Sequence, residues 1–270
     1  MKILLIGGSG LVGSALHHVL SRLGHRVVAP ARAEFDILSG PPPPGLFTGV
    51  AAAVNAAVAK PPAERAAASR VNAEFPHELS RGCAAAGVKL IHVSTDGVFE
   101  GSRGPCEESS VANPADEYGA QKLAGEPSEC LVLRTSVIGP ERRGFESLLC
   151  WFLAQQGPVS GYVDQQWNGV TSLALARAIA RLIAQGTIPL GVRHVYSDDV
   201  SKYELLSRVA KAFARDVDIV PAKAPAARDR WLRTEYPEFL ASCAFPSLDE
   251  QLAELPALAD ARGAWRPNAS

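Results

Sequence analysis

Along the first half of the chain, apolar residues alternate between short unbroken runs and longer stretches with helical spacing. Lys2–Ile6 is a continuous β-branched and leucine run, the pattern of a strand buried on both faces. It gives way to Gly7-Gly8-Ser9-Gly10-Leu11-Val12-Gly13, and helical spacing starts at once through Leu11, Ala15, Val19, Leu20 and Leu23. Gly24 stops that helix, and His25–Ala29 reads as a second strand. Residues 39–46 hold four consecutive prolines between glycines, which predicts a short rigid loop and excludes helix. Gly49–Ala59 reads as a third buried strand, running into Asn55-Ala56-Ala57. Helical spacing fills 63–86, Gly87 ends it, and Val88–Val93 predicts a fourth strand. Residues 100–117, rich in Gly, Ser, Glu and Pro, read as loop. A helix begins at about residue 116, and Cys130–Thr135 is a fifth strand.

After Pro140 the pattern changes. Phe145–Leu153 reads as an amphipathic helix, 159–171 as extended segments, and Leu173–Ala184 as a helix. Val192–Tyr196 is a short strand, Lys202–Ala214 a helix and Val217–Val220 a short strand. The last fifty residues are rich in Pro, Ala and Arg, with Trp231, Tyr236 and Phe239 as packing residues. Strand–helix alternation of this kind predicts an α/β fold, a Rossmann-like doubly wound parallel sheet. Residues 1–140 then form a nucleotide-binding domain that carries the chemistry. Residues 141–270 form a smaller substrate-binding region packed on the carboxyl edge of the sheet and interleaved with the first domain.

Composition narrows the function by exclusion. The 270 residues are 47% hydrophobic and 20% charged, as in an ordinary globular protein. Twenty-seven basic against 28 acidic residues give a net charge of −1, so no nucleic-acid or membrane partner is expected. The five cysteines are scattered and contain no CxxC, and the six histidines lack metal-ligand spacing. Reduced thiols, no metal site and a cytoplasmic location are the expectation. The apolar run at the N-terminus breaks into glycines too soon for a secretory signal. A homodimer is the one protein assembly expected.

Within that frame the chemistry concentrates in three places. The first strand, its glycines at 7, 10 and 13, and the following helix make a βαβ unit. There the backbone can approach a pyrophosphate at a helix N-terminus; the alternative is a tight turn with no ligand. The second strand ends in Pro30-Ala31-Arg32 rather than in the acid that would bond the ribose 2′-hydroxyl of NAD. Arg32 can pair with a 2′-phosphate, which points to NADP(H) as the preferred cofactor with NAD(H) possible. Ser94-Thr95-Asp96 sits at the carboxyl end of the fourth strand, where open parallel sheets place ligand chemistry. Finally, Tyr118 and Lys122 are four apart in a helical segment, which puts phenol and ammonium on one face. A fixed cation there favours the phenolate and brings its proton into the working range.

Taken together, KILLIGGSGLVG at the N-terminus, VNAA at 54–57, HVSTDGVFEG at 92–101, YGAQKLAGE at 118–126 and VLRTSVIGP at 132–140 resemble one family. These motifs, over roughly residues 2–196, are similar to the extended short-chain dehydrogenase/reductases. Within them they look most like the dTDP-4-dehydrorhamnose reductases and related nucleotide-sugar 4-ketoreductases. The resemblance implies that Tyr118 protonates a sugar carbonyl while NAD(P)H delivers hydride to the carbon. Lys122 would lower the phenol's pKa and hold the nicotinamide ribose, and Thr95 would orient the carbonyl, with Ser94 next in line. For the cofactor it implies Gly7, Ser9, Gly10, Leu11, Val12, Gly13, Arg32, Asp36, Asn55, Ala56, Ala57, Asn72, Ser94 and Lys122. For the nucleotide-sugar substrate it implies Thr95 and Tyr118. The segment Gln165–Gly169 differs from the family, and in it Gln166 and Trp167 are further substrate candidates, the indole either stacking on a base or sugar or serving as ordinary packing.

The motifs also depart from the family. Sugar 4,6-dehydratases carry Asp-Glu after the threonine, whereas Asp96-Gly97 here lacks the second acid. The dehydrorhamnose reductases usually have a tyrosine at the position of Gly97 and an aromatic residue at that of Val137. Two other functions fit the same motifs: an epimerase that keeps its cofactor, and a non-catalytic dinucleotide-binding regulatory subunit. The intact Thr95, Tyr118 and Lys122 argue against the second.

Overall fold

Parallel strands can be joined only by crossovers, and helices supply most of them here. The computed structural model describes residues 1–60, 64–102, 104–141, 147–186 and 188–261. In chain order the first part runs β1 (Lys2–Ile6), α1 (Leu11–Arg22), β2 (Arg26–Val28), β3 (Ala52–Asn55), α2 (Arg65–Ser69), α3 (Phe75–Ala85), β4 (Lys89–Val93), α4 (Glu117–Ala124) and β5 (Leu131–Arg134). The second part runs β6 (Val137–Ile138), α5 (Leu148–Leu153), β7 (Val159–Tyr162), β8 (Gln165–Trp167), β9 (Val170–Thr171), α6 (Ser172–Gln185), β10 (Gly191–His194), β11 (Val200–Ser201), α7 (Lys202–Ala212), β12 (Ile219–Ala222), β13 (Arg228–Asp229), α8 (Pro237–Cys243), α9 (Leu248–Ala253) and α10 (Leu255–Ala261).

The central sheet has the order β2-β1-β3-β4-β5-β10, and every pairing in it is parallel. Strand order reverses at β1, whose two neighbours are β2 and β3. A doubly wound sheet opens a ligand crevice at such a point, outside the carboxyl ends of the strands. The sheet does not stop at residue 140. Its sixth strand is β10, and α6 lies against α1 with Leu175, Ile179 and Leu182 buried on the apolar side of Leu16 and Leu20. The substrate-side elements are small: β6 pairs with β9, β7 with β12, and β8 lies between β11 and β13.

Three differences from the sequence reading have physical causes. The proline stretch does contain helix, because Pro44 sits at the first position of a 3₁₀ turn, Pro44–Phe47, where its missing N–H is not needed. That turn drives Phe47 into the core beside Gly82. The helix expected over 63–86 is interrupted: α2 passes through a π turn, Arg70–Glu74, into α3; its first residue lies outside the described residues, as do 142–146 ahead of α5. The last fifty residues, read only as packing residues in a biased stretch, fold into α8, α9 and α10. Leu248, Leu252, Leu255 and Leu258 from them enter the main core. Tyr236 is not a core residue but 41% exposed, with the Arg193 guanidinium 3.6 Å from its ring centroid.

All five cysteines are buried and none is joined in a disulfide. Among the described residues no helix is long and apolar enough to cross a membrane. None of their His, Cys, Asp and Glu side chains group in threes that could hold a metal ion. The α1–α6 contact predicts that Ile179→Ala, at a fully buried position, lowers the unfolding free energy by about 2–5 kcal/mol. Urea denaturation checks this; a loss under about 1 kcal/mol would show that the contact contributes little.

Candidate active site

The glycine turn lies at the reversal point of the sheet. Gly7 has φ +79°, and a Cβ on it would stand 2.5 Å from the Ala57 backbone nitrogen. A Cβ on Gly13 would stand 2.0 Å from the Gly7 carbonyl oxygen, so the first turn of α1 rests directly on the turn before it. Gly10 caps α1 without any side-chain hydrogen bond, and no acid occupies the first helical turn. The leading N–H groups of the helix are thus available to an anion. Beside them is a cleft of about 450 Å³ lined in part by Gly7, Ser9, Gly10, Arg32, Asp36, Ala56 and Ala57. These residues fit a dinucleotide: a cradle too close for side chains, an uncapped helix start and a charged pair at the far end. Leu11 packs toward Gly139 and Val12 against the core, so both act through the backbone of α1.

Arg32 and Asp36 meet at that far end, Nε to Oδ2 2.9 Å, with the arginine side chain 75% exposed. The Leu38 N–H and Arg32 hold the Asp36 carboxyl below its usual range. Glu34 turns back instead, accepting from the Ala31 N–H at 2.7 Å.

The helix α4, which carries Tyr118 and Lys122, is capped by Asp116, whose carboxylate accepts from the Gly119 N–H at 2.8 Å. A Cβ on Gly119 would be 2.2 Å from the Gly97 carbonyl oxygen, so α4 sits on the Thr95–Val98 turn with nothing between the backbones. Thr95 caps that turn, accepting from the Gly97 N–H at 3.0 Å and donating to the Asp96 carboxylate at 3.2 Å, and its hydroxyl stands near enough to the Tyr118 phenol to favour the phenol's ionised form. The structure therefore brings Thr95 and Tyr118 together.

Lys122 takes a different course from the one expected. Its Nζ donates to the Val93 carbonyl at 2.9 Å and lies 3.4 Å from His92 Nε2, beneath the sheet edge. Burial pulls its pKa down to about 8, with Glu126 acting the other way. The phenol is not lowered: burial, and then the nearby Asp96 charge, push Tyr118 up to about 12. At neutral pH Tyr118 thus carries its proton.

Several other expected residues have their polar atoms engaged within the protein. Ser94 donates to Glu126 at 2.5 Å rather than toward the phenol, and Glu126 takes a two-pronged contact from Arg134, the closest at 2.7 Å. Asn72, in the π turn, accepts from Ala59 N–H and donates to Ala59 C=O and to Gln121. It clamps the cleft wall to α4 and has no free donor for a cofactor. Asn55 accepts from Ala57 N–H at 3.1 Å and meets His92 Nδ1 at 3.1 Å. Trp167 is 4% exposed and donates from its indole to Ser136 at 2.7 Å, wedged beside Gly169, so it packs rather than stacks on a ligand. Gln166 donates to the Val163 carbonyl at 3.2 Å.

Lys202 and Arg230 were not foreseen. Both act on Asp96, opposing the burial that raises its pKa. Arg230 also reaches Gly97, its Nη1 3.9 Å from where a Cβ would be, and its Nε and Nη2 are buried without a hydrogen-bond partner. Neither lies in a chemical motif; Lys202 is the first residue of α7, inside its Ser201–Glu204 capping box.

A glycine turn at the reversal point of the sheet, with Thr95 and Tyr118 together past the carboxyl end of β4, is the arrangement of an extended short-chain dehydrogenase/reductase. The chain belongs to the RmlD substrate binding domain family, whose model matches residues 1–239. It is 32% identical over 211 residues to a dTDP-4-dehydrorhamnose reductase of Streptomyces griseus, covering 71% of this chain and 69% of that one. It is 31% identical over 222 residues to a dTDP-4-keto-6-deoxy-D-glucose reductase of Streptomyces niveus, covering 76% of each. Its fold matches the crystal structure of a Bacillus anthracis dTDP-4-dehydrorhamnose reductase in complex with NADP. The TM-score is 0.79 at 21% identity, over 95% of this chain and 99% of that one.

The two glycines of the turn should separate folding from binding. A Cβ on Gly10 meets only the Gly7 oxygen at 3.5 Å, an ordinary contact, whereas one on Gly13 collides with backbone. Gly10→Ala should keep the wild-type melting temperature and bind NADPH more weakly, while Gly13→Ala should melt several degrees lower. Thermal melting and fluorescence titration check both; unchanged NADPH affinity in Gly10→Ala would move the phosphates elsewhere.

Proposed function

We propose that the protein is an NAD(P)H-dependent ketoreductase acting on the 4-keto group of a nucleotide-linked 6-deoxysugar, with NADPH preferred and NADH accepted. The observation that carries this reading is the placement of Tyr118 beside Thr95 on the turn after β4, with the phenol held in its protonated form by burial. A bound NADPH supplies the hydride for the carbonyl carbon. Thr95 and Tyr118 converge on the carbonyl oxygen, the threonine orienting it and the phenol giving up its proton to it. Reduction is favoured over epimerisation because an epimerase must first remove a proton from the sugar hydroxyl, which calls for the phenolate. Net consumption of NADPH by the wild type separates the two.

Charge on the substrate side supports an anionic substrate. Lys202 and Arg230 set two cations against the single carboxylate of Asp96, and that excess suits the diphosphate of a nucleotide sugar. The relatives named for such reductions act on dTDP-linked sugars, and we extend that substrate class to this chain. Five buried cysteines outside any disulfide suit a cytoplasmic enzyme.

Tyr118→Phe should reduce kcat by about 10²- to 10⁴-fold while leaving NADPH affinity nearly unchanged. Near-wild-type turnover in steady-state assays would remove Tyr118 from the reaction. For the cofactor, a guanidinium gripping a 2′-phosphate gives roughly a ten- to hundred-fold preference for NADPH. Arg32→Ala should erase most of it, chiefly by weakening NADPH. Equal kcat/KM ratios for the two cofactors in wild type and variant would make Arg32 a bystander paired only with Asp36.

A further inference from the structure

Position 97, where the related reductases usually carry a tyrosine, has no side chain here, and a cation from a distant part of the chain stands over it. A Cβ on Gly97 would lie 3.2 Å from Thr95 Oγ1 and 3.9 Å from Arg230 Nη1. The stem of the same arginine crosses a second glycine, Gly101, whose φ is +87° and whose Cβ would be 2.8 Å from Arg230 Cγ. Both flanks of Arg230 are tied down. The Asp229 N–H donates to the Gly101 carbonyl at 2.6 Å, and the Trp231 carbonyl accepts from the Cys106 N–H at 2.8 Å. The course of the side chain is thus set by backbone on either side of it.

The guanidinium arrives at Gly97 with one edge unused. Its Nε and Nη2 are buried and find no hydrogen-bond partner among the described residues. These two nitrogens donate in parallel from one side of the group, at the spacing of two oxygens of a carboxylate or phosphate. Asp96 does not take them: Arg230 acts on it only through charge, and its hydrogen bond comes from the Thr95 hydroxyl at 3.2 Å. Lys202 acts on the same acid, its ammonium 5.6 Å from the Trp167 ring centroid. Two cations around one carboxylate leave a positive charge for a ligand to complete.

We propose that Arg230 determines substrate specificity, taking the space of a side chain at 97 and gripping a substrate oxyanion through Nε and Nη2. The inference rests on the nucleotide-sugar reading for the identity of that substrate. Within that class the oxyanion has two sources: the diphosphate that joins sugar to nucleoside, and a carboxylate on the sugar ring. A bulky residue at 97 and an arginine at 230 compete for one space, so the two positions act as a pair.

Titration calorimetry on the NADPH-loaded full chain tests this with dTDP, UDP-glucose and UDP-glucuronic acid. Wild type should bind at least one of them, and Arg230→Gln should weaken that binding by about ten- to hundred-fold. Arg230→Lys keeps the charge without the fork and should lose most of the same factor. Gly97→Tyr puts a ring where the guanidinium stands and should lose it too, with Arg230 intact. A loss shared by dTDP and UDP-glucose places the diphosphate in the fork. A loss confined to UDP-glucuronic acid places a ring carboxylate there. Wild-type affinity for all three probes in Arg230→Gln or in Gly97→Tyr overturns the proposal, as does a wild type that binds none of them. Arg230-dependent binding in a protein that never consumes NADPH would end the ketoreductase reading and leave this one standing.

Discussion

The helix α4 can reach the Thr95 turn only because residue 119 carries no Cβ. With Gly119 against the Gly97 carbonyl, the phenol at 118 and the hydroxyl at 95 are fixed by two backbones in contact. A longer side chain at 119 would lift α4 off the sheet edge and take Tyr118 with it. The same device operates at the glycine turn after β1, where Gly13 rests on Gly7 and Gly7 on Ala57. The glycine turn and the Thr95–Tyr118 pair are thus both referred to the carboxyl edge of one parallel sheet. Errors in side-chain packing elsewhere reach the site only by moving that edge.

Much of this edge was legible in the sequence, because its signals are local. A buried run, three glycines and helical spacing within 23 residues leave little choice but β1, its turn and α1. The Tyr118–Lys122 spacing located α4 for the same reason. What spacing could not say is how far each side chain travels. Both residues share a face of α4, but Lys122 runs inward beneath Val93 and His92 while Tyr118 stays with Thr95. The expected cation beside the phenol therefore gave way to a phenol raised by burial.

Long-range placement was not legible in the sequence. Asn72 was a cofactor candidate, but its position depends on a π turn, which no apolar period announces, and from there it joins Ala59 to Gln121, 49 positions further along the chain. Lys202 and Arg230 come to Asp96 from two small substrate-side elements separated from it by more than a hundred positions. The terminal helices α8, α9 and α10 were invisible because each spans only 6 or 7 residues, too few turns for a helical period to emerge. Trp167 was misjudged for a related reason: an aromatic residue in a polar stretch looks available for a ligand until Ser136 and Gly169 close around it.

The position of α6 has a thermodynamic consequence. It lies on α1, whose first turn faces the nucleotide cleft, and its other neighbours include α8 from the C-terminal region. The next strand, β10, completes the central sheet. Neither half of the chain can melt without exposing apolar surface of the other, so heating should produce a single cooperative transition. A dinucleotide that touches only the first half then raises the melting temperature of the whole molecule. Protection from hydrogen exchange would accordingly spread on binding to helices that never meet the ligand.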